Sequence, residues 1–224
     1  MKDNLANLEE TTSRLIASFK AQPQSEIQAS LLERERLALA ASMARFHAPA
    51  RHWEREPNQN GSWGQKRAIV EGLLGRGFTA GLFGTMGGGK TQMAVECMKA
   101  CHRRKRSALF VSAMEFFSTI RASYRSQSTK SEREVVEDFR KPSLLVIDEI
   151  GKRGQTEWED GMLFELLNKR YEDMTDTILT CNLSRADFQK SVGDAIVSRM
   201  IECGGLIDCS WSSYRTLTKP NSVP

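Results

Sequence analysis

The stretch Gly84-Thr85-Met86-Gly87-Gly88-Gly89-Lys90-Thr91 fills every fixed position of the pattern G-x-x-x-x-G-K-[ST]. A short apolar run over 78–83 precedes it, and a helical pattern over 89–102 follows. That placement, strand then loop then helix, gives the pattern a mechanism. Glycines let the backbone wrap closely, so that successive N–H groups point at phosphate oxygens. The helix N-terminus adds the positive end of its dipole. Lys90 is expected to reach the β- and γ-phosphates of a nucleotide, and the Thr91 hydroxyl to ligate Mg²⁺. The whole loop, Gly84, Thr85, Met86, Gly87, Gly88 and Gly89 included, is a candidate phosphate cradle.

A second motif complements the first. Leu144-Leu145-Val146-Ile147-Asp148-Glu149 reads as a fully apolar strand that ends in two carboxylates. Asp148 is expected to hold Mg²⁺, directly or through water. Glu149 is expected to polarise an attacking water, because phosphoryl transfer rests on positioning and charge stabilisation rather than covalent chemistry. Asn182 follows a strand pattern over 177–181, where its amide could orient water against a γ-phosphate, or serve only as a helix cap or turn residue. Arg199 lies inside an apolar helical pattern, where it reads either as an arginine finger toward a neighbour's nucleotide or as one half of a surface ion pair.

Outward from these motifs, helical and strand patterns alternate. Strands are expected over 78–83, 107–112, 144–148, 177–181 and 206–209. Helices are expected over 63–75, 89–102, 114–125, 131–140, 157–172 and 193–202. Such alternation predicts a parallel sheet covered by helices, an α/β three-layer fold. Before residue 56 the pattern is helical throughout. One helix is expected over 3–20, broken at Pro23, and another over 25–46 with Ile27, Leu31, Leu32, Leu39, Met43 and Phe46 on its apolar stripe. Pro49 and Pro57-Asn58-Gln59-Asn60-Gly61 read as linker. The expected division is a small all-helical module, 1–55, and a nucleotide-binding domain, 56–224.

The 224-residue chain is 40% hydrophobic, enough for an ordinary core. It has no apolar run near the ~20 residues of a membrane span, and its first residues lack a signal-peptide pattern, so the cytoplasm is the expected location. Its five cysteines are scattered; Cys97 and Cys101 stand four apart without a second pair at zinc spacing, which favours reduced core thiols. A net charge of +4 permits nucleic-acid binding without arguing for it. The basic run His102-Arg103-Arg104-Lys105-Arg106 reads as a solvated loop.

Residues about 63–215 resemble the DnaC-type bacterial helicase loaders, a branch of the AAA+ ATPases. The resemblance rests on GTMGGGKT, on LLVIDEIG (144–151), on TCNLS (180–184), on GDAIVSRM (193–200) and on WSSYR (211–215). The stretch LERER (32–36) is similar to a helicase-binding helix of that family. The resemblance implies ATP with Mg²⁺ and slow hydrolysis. It implies a hexameric DnaB-type replicative helicase and single-stranded DNA as partners, and self-assembly on the helicase. It makes Asn182 a first sensor, Arg199 an arginine finger completing a neighbour's site, and Arg215 a second sensor touching the phosphates. It also marks Arg121 and Tyr124, and Thr156 and Trp158, as single-stranded DNA contacts. Gln92-Met93 departs from the His-Leu that often follows the loop in this family. An IstB-like transposition ATPase shares the fold and motifs. A P-loop kinase for a small metabolite is the alternative from another class, disfavoured by the Asp148-Glu149 pair with Asn182 and Arg199.

Overall fold

The computed structural model describes residues 11–12, 24–56, 61–125 and 127–214. The expected helix over 3–20, apart from Thr11 and Thr12, and the candidate Arg215 lie outside the described residues. Five strands form one sheet: β1 (Thr79–Phe83), β2 (Ala108–Ser112), β3 (Leu144–Asp148), β4 (Asp176–Thr180) and β5 (Gly205–Asp208). All pairings are parallel, in the order β2-β3-β4-β1-β5. β1 and β4 are buried at every position, as expected of central parallel strands covered on both faces.

The helices are α1 (Gln24–Arg45), α2 (Ala50–Trp53), α3 (Gly61–Leu73), α4 (Lys90–Arg103), α5 (Ala113–Ala122), α6 (Glu132–Arg140), α7 (Glu157–Glu172), α8 (Arg185–Val192) and α9 (Asp194–Cys203). A single 3-10 turn, Ile150–Lys152, follows β3. The starts of α5, α6, α7 and α8 share one device. Ser112, Ser131, Thr156 and Ser184 each accept a backbone N–H three residues on, which satisfies an orphan donor of the first turn. Around Ser131 the reciprocal bond from Glu134 completes a capping box. Helices α2 and α8 were not expected from periodicity.

β4 sits between β1 and β3, so the register aligns Leu82 with Thr180 and Ile147 with Leu179. The carboxyl ends of these three strands therefore present Gly84, Asp148 and Thr180 along one edge, where open parallel sheets place their ligands.

The chain divides into two compact units, Met1–Ala41 and Ser42–Pro224. The expected division at 55/56 is thus displaced: residues 42–55 belong with the sheet. Met43 is fully buried. Ser42 Oγ bonds the His102 ring at 2.8 Å. The Phe110 N–H donates to Phe46 O at 2.7 Å. β2 is an edge strand, and that bond covers part of its open backbone. Of the stripe expected over 25–46, Leu31 and Leu32 are exposed, whereas Met43 and Phe46 are buried in the second unit.

The basic run is more than a solvated loop. Arg103 donates to Glu71 at 3.0 Å, Arg104 to Leu74 O at 3.0 Å, and Arg106 pairs with Asp176 at 3.0 Å. Asp176 is itself fully buried and also accepts the Gly75 and Gly77 N–H groups. Most of this positive charge ties α4 and the turn after α3 to the sheet.

Candidate nucleotide site

The loop after β1 is held from three sides. Gly84 N–H donates to Leu183 O at 3.0 Å. The Trp63 indole donates to Gly89 O at 3.1 Å, and the Trp211 indole to Gly88 O at 3.0 Å. Tyr214 N–H reaches Gly87 O at 3.1 Å, and Thr85 Oγ1 donates to Trp211 O at 2.9 Å. Two glycines are obligatory here. Gly87 has φ +82° and a Cβ would stand 2.0 Å from Ser213 Oγ; Gly89 has φ +79° and a Cβ would stand 2.7 Å from Trp63 Nε1. Gly89 leads into α4 with no side-chain cap, so the first-turn N–H groups remain for an anion. Lys90, almost fully buried, donates from Nζ to Gly84 O at 3.0 Å and Thr85 O at 2.7 Å.

The carboxylates are organised by two threonines. Thr91 Oγ1 donates to Asp148 at 3.1 Å and 3.3 Å. Thr180 Oγ1 donates to the same carboxylate and accepts the Glu149 N–H at 3.1 Å. Burial pushes the Asp148 carboxyl above the usual carboxylate range, and the neighbouring Glu149 charge adds to this; the two threonine hydrogen bonds pull it back. Thr91 and Asp148 offer hard oxygen donors at one point, which suits Mg²⁺. Glu149 adopts the left-handed conformation, φ 58° and ψ 43°, an unusual state for a residue with a side chain. Its carboxylate pairs with Lys152 Nζ at 2.7 Å.

These groups line one cleft of ≈ 640 Å³, which includes Met86, Gly87, Gly89, Lys90, Thr91, Asp148, Glu149 and Asn182. Asn182 is exposed there, in a bend two residues before Ser184, which caps α8. The sequence reading missed Thr180, whose hydroxyl links both carboxylate positions; a threonine ending the strand between the two motifs was the available signal. It also missed His52, Gln92, Lys152 and Tyr214, which line the same cleft.

Arg199 is not among the residues lining its own chain's cleft. Its guanidinium lies 5.4 Å from the ring centres of both Phe164 and Tyr171, and it donates to Asn168 Oδ1 and to Ala195 O at 3.1 Å. Among the described residues it makes no ion pair.

The four candidate DNA contacts form a second cluster. Arg121 lies 4.8 Å from the Trp158 ring centre and pairs with the buried Glu159 at 2.6 Å. The Trp158 indole donates to Tyr124 Oη at 3.2 Å, and its ring meets Phe117 edge-on at 6.0 Å. Thr156 caps α7. Trp158 is half-buried. The cysteines Cys97, Cys101, Cys181 and Cys209 are buried and unpaired, with burial raising their thiol pKa values, that of Cys101 to about 11. Among the described residues no cluster of three or more His, Cys, Asp or Glu side chains is placed to hold a metal by itself, and no helix is long and apolar enough to cross a membrane.

The parallel order with β4 inserted between the glycine-loop strand and the Asp148 strand defines an AAA+-type P-loop fold. Within that class, the chain belongs to the IstB-like ATP binding proteins, whose family model matches residues 69–222. It is 26% identical over 134 residues to the replicative helicase loader DnaC of Escherichia coli K12, covering 59% of this chain and 54% of that protein. It is 30% identical over 170 residues to a Pseudomonas aeruginosa protein described as an ATP-binding protein of insertion sequence IS21, covering 70% of this chain and 61% of that one. The chain thus spans little more than half the length of the curated relatives it matches. A crystal structure of the DnaC helicase loader superposes with a TM-score of 0.59 at 20% identity, covering 71% of this chain and 99% of that one, a likeness of fold.

Proposed function

We infer that this protein binds ATP·Mg²⁺ in the cleft and uses slow hydrolysis to load a hexameric DnaB-type replicative helicase onto single-stranded DNA. The observation that carries the chemistry is the convergence of Lys90, Thr91, Asp148 and Glu149 on one cleft. Lys90 exchanges two neutral carbonyl partners for phosphate oxygens, and charge-assisted hydrogen bonds are the stronger kind. Mg²⁺, held by Thr91 and Asp148, would neutralise phosphate charge. Glu149 orients the attacking water once its carboxylate leaves Lys152, and Asn182 faces the same space. Arg199 acts in trans, in keeping with its not lining its own chain's cleft; Arg215 adds a phosphate contact. The helical module recruits the helicase, and Arg121, Tyr124, Thr156 and Trp158 contact single-stranded DNA.

The similarity to a DnaC loader supports the helicase partner, and the motif-bearing ending WSSYR agrees with it. The similarity to an IS21 ATP-binding protein favours the second reading, a transposition helper acting with a transposase. Co-purification with a hexameric helicase and with a transposase, each with and without ATP, separates the two. ATP-dependent capture of the helicase is expected, with Glu149→Gln trapping the complex and Lys90→Ala abolishing it. Capture of the transposase alone overturns the loader reading.

A further inference from the structure

A hydrogen-bond network fixes one wall of the cleft. Gln92, directly after Thr91 on the first turn of α4, is nine-tenths buried. Its amide nitrogen donates to His52 O at 2.8 Å and to Glu96 Oε1 at 3.0 Å. Glu96 is buried too and pairs with Lys99 at 3.0 Å. Both amide hydrogens of Gln92 are therefore used. A flipped amide would turn its oxygen toward a carbonyl and a carboxylate, which the network forbids. The remaining oxygen, Oε1, stands 3.0 Å from His52 Nδ1. An oxygen can only accept there, so Nδ1 carries the proton.

That assignment has a consequence at the other side of the ring. A neutral imidazole protonated at Nδ1 presents Nε2 as a lone-pair acceptor. Among the described residues Nε2 has no hydrogen-bond partner, and His52 lines the cleft. The triphosphate end of a nucleotide is committed to the loop and to Thr91 and Asp148. The rest of the lining, His52, Met86 and Tyr214 included, is left for the remainder of the nucleotide. A purine amine donates, whereas a purine carbonyl at the same position only accepts and would oppose the Nε2 lone pair.

We propose that His52 is a base-specificity residue that accepts the exocyclic amine of adenine, and that Gln92 is the positioning residue that fixes its tautomer. The proposal rests on the reading of the cleft as the ATP site. It goes further by assigning the choice of base to a segment that precedes the glycine loop.

The test measures Kd by calorimetry for ATP, GTP and purine riboside triphosphate, which is ATP without its amine. Wild-type protein is expected to favour ATP over both, by about three- to tenfold over the amine-free analogue, the range of a single neutral hydrogen bond. His52→Phe keeps a ring in place and removes the acceptor. It should bring the three affinities to within about twofold of each other by weakening ATP alone. Gln92→Leu should shift the ratio the same way with His52 still present, which a purely structural role would not do. The wild-type comparison involves no substitution, so misfolding cannot produce its result. Equal wild-type affinity for ATP and the amine-free analogue overturns the proposal. So does a folded His52→Phe protein that keeps the wild-type ratio or weakens all three ligands alike. Lys90→Ala is the separate control: if it leaves all three affinities unchanged, the reading of the cleft fails, whatever the ratios.

Discussion

At the scale of single residues, Asp148 exposes a conflict between stability and chemistry. Its folded pKa is raised by burial, so the fold disfavours its ionised form. For an acid shifted upward, the cost develops as pH rises from the ordinary carboxylate range through the folded value, and is relieved again in acid. Asp148→Asn removes that cost. We expect the variant to melt higher than wild type at pH 7–8, by about 2–4 °C for each kcal/mol recovered, with the gap closing near pH 4. Melting curves across that range without Mg²⁺ or nucleotide check the sign; a lower melting point at pH 8 contradicts it. Hydrolysis should be lost in the same variant. The glycine loop and both carboxylates were legible because each motif is contiguous and bounded by strand and helix patterns. Thr180 and His52 were not, because their roles come from partners 32 and 40 positions away, across the sheet and across α4.

At the scale of elements, the strand Leu144–Asp148 and the helix Glu157–Glu172 begin and end where the sequence predicts. Apolar continuity defines the first, and a threonine cap defines the start of the second. Helix α8 was missed because eight residues supply barely two turns of periodicity, although Ser184-Arg185-Ala186-Asp187 carries a capping signal. Two predictions belong here. Arg199 of α9 is cradled by Phe164, Asn168 and Tyr171 of α7. Arg199→Ala should leave the ATP affinity of the isolated chain unchanged and lower hydrolysis in the assembly by about tenfold or more, given the 10³–10⁵ contributed by such residues in GTPases. Mixing it with Lys90→Ala protein should restore part of the activity, since each supplies what the other lacks; no restoration at any ratio argues against action in trans. The cluster at the start of α7 gives the second. Arg121 covers one side of Trp158, so an incoming base must displace it or stack elsewhere on the ring. Trp158→Ala should weaken single-strand binding by about 5–150-fold, the equivalent of about 1–3 kcal/mol per stacked base. Arg121→Ala should flatten the salt dependence. Polarisation with an oligonucleotide and a parallel melting curve separate DNA loss from misfolding, and a folded Trp158→Ala protein with wild-type affinity removes the stacking role.

At the scale of the whole molecule, the boundary between units follows packing rather than linker composition. Proline and glycine near residues 49–61 suggested a break, yet Met43, Phe46 and His52 are bound into the sheet unit. Sequence pattern marks where helices stop; it does not say which neighbour buries them. Two truncations should therefore differ. Removal of residues 1–41 should leave melting temperature and ATP affinity close to those of the full chain. Removal of residues 1–55 should lower both, because it uncovers the edge of β2 and takes away the clasp on Gln92. An exposed strand edge also invites chain-to-chain pairing, so the shorter protein should show aggregation by light scattering. Equal behaviour of the two truncations contradicts this boundary.

The two indoles bonded to the glycine loop carry a further consequence. Of the four tryptophans in the chain, Trp63 and Trp211 donate to the carbonyls of Gly89 and Gly88, at the place where phosphate would press on the backbone. An indole N–H that gains or loses a carbonyl partner changes its emission. The protein thus contains its own optical reporter of nucleotide arrival, with no label attached. Titration with ATP should shift the intrinsic fluorescence, and Trp63→Phe and Trp211→Phe should each reduce the signal while Trp158→Phe leaves it intact. A stopped-flow trace of that emission would time the closing of the loop around phosphate, one turnover at a time.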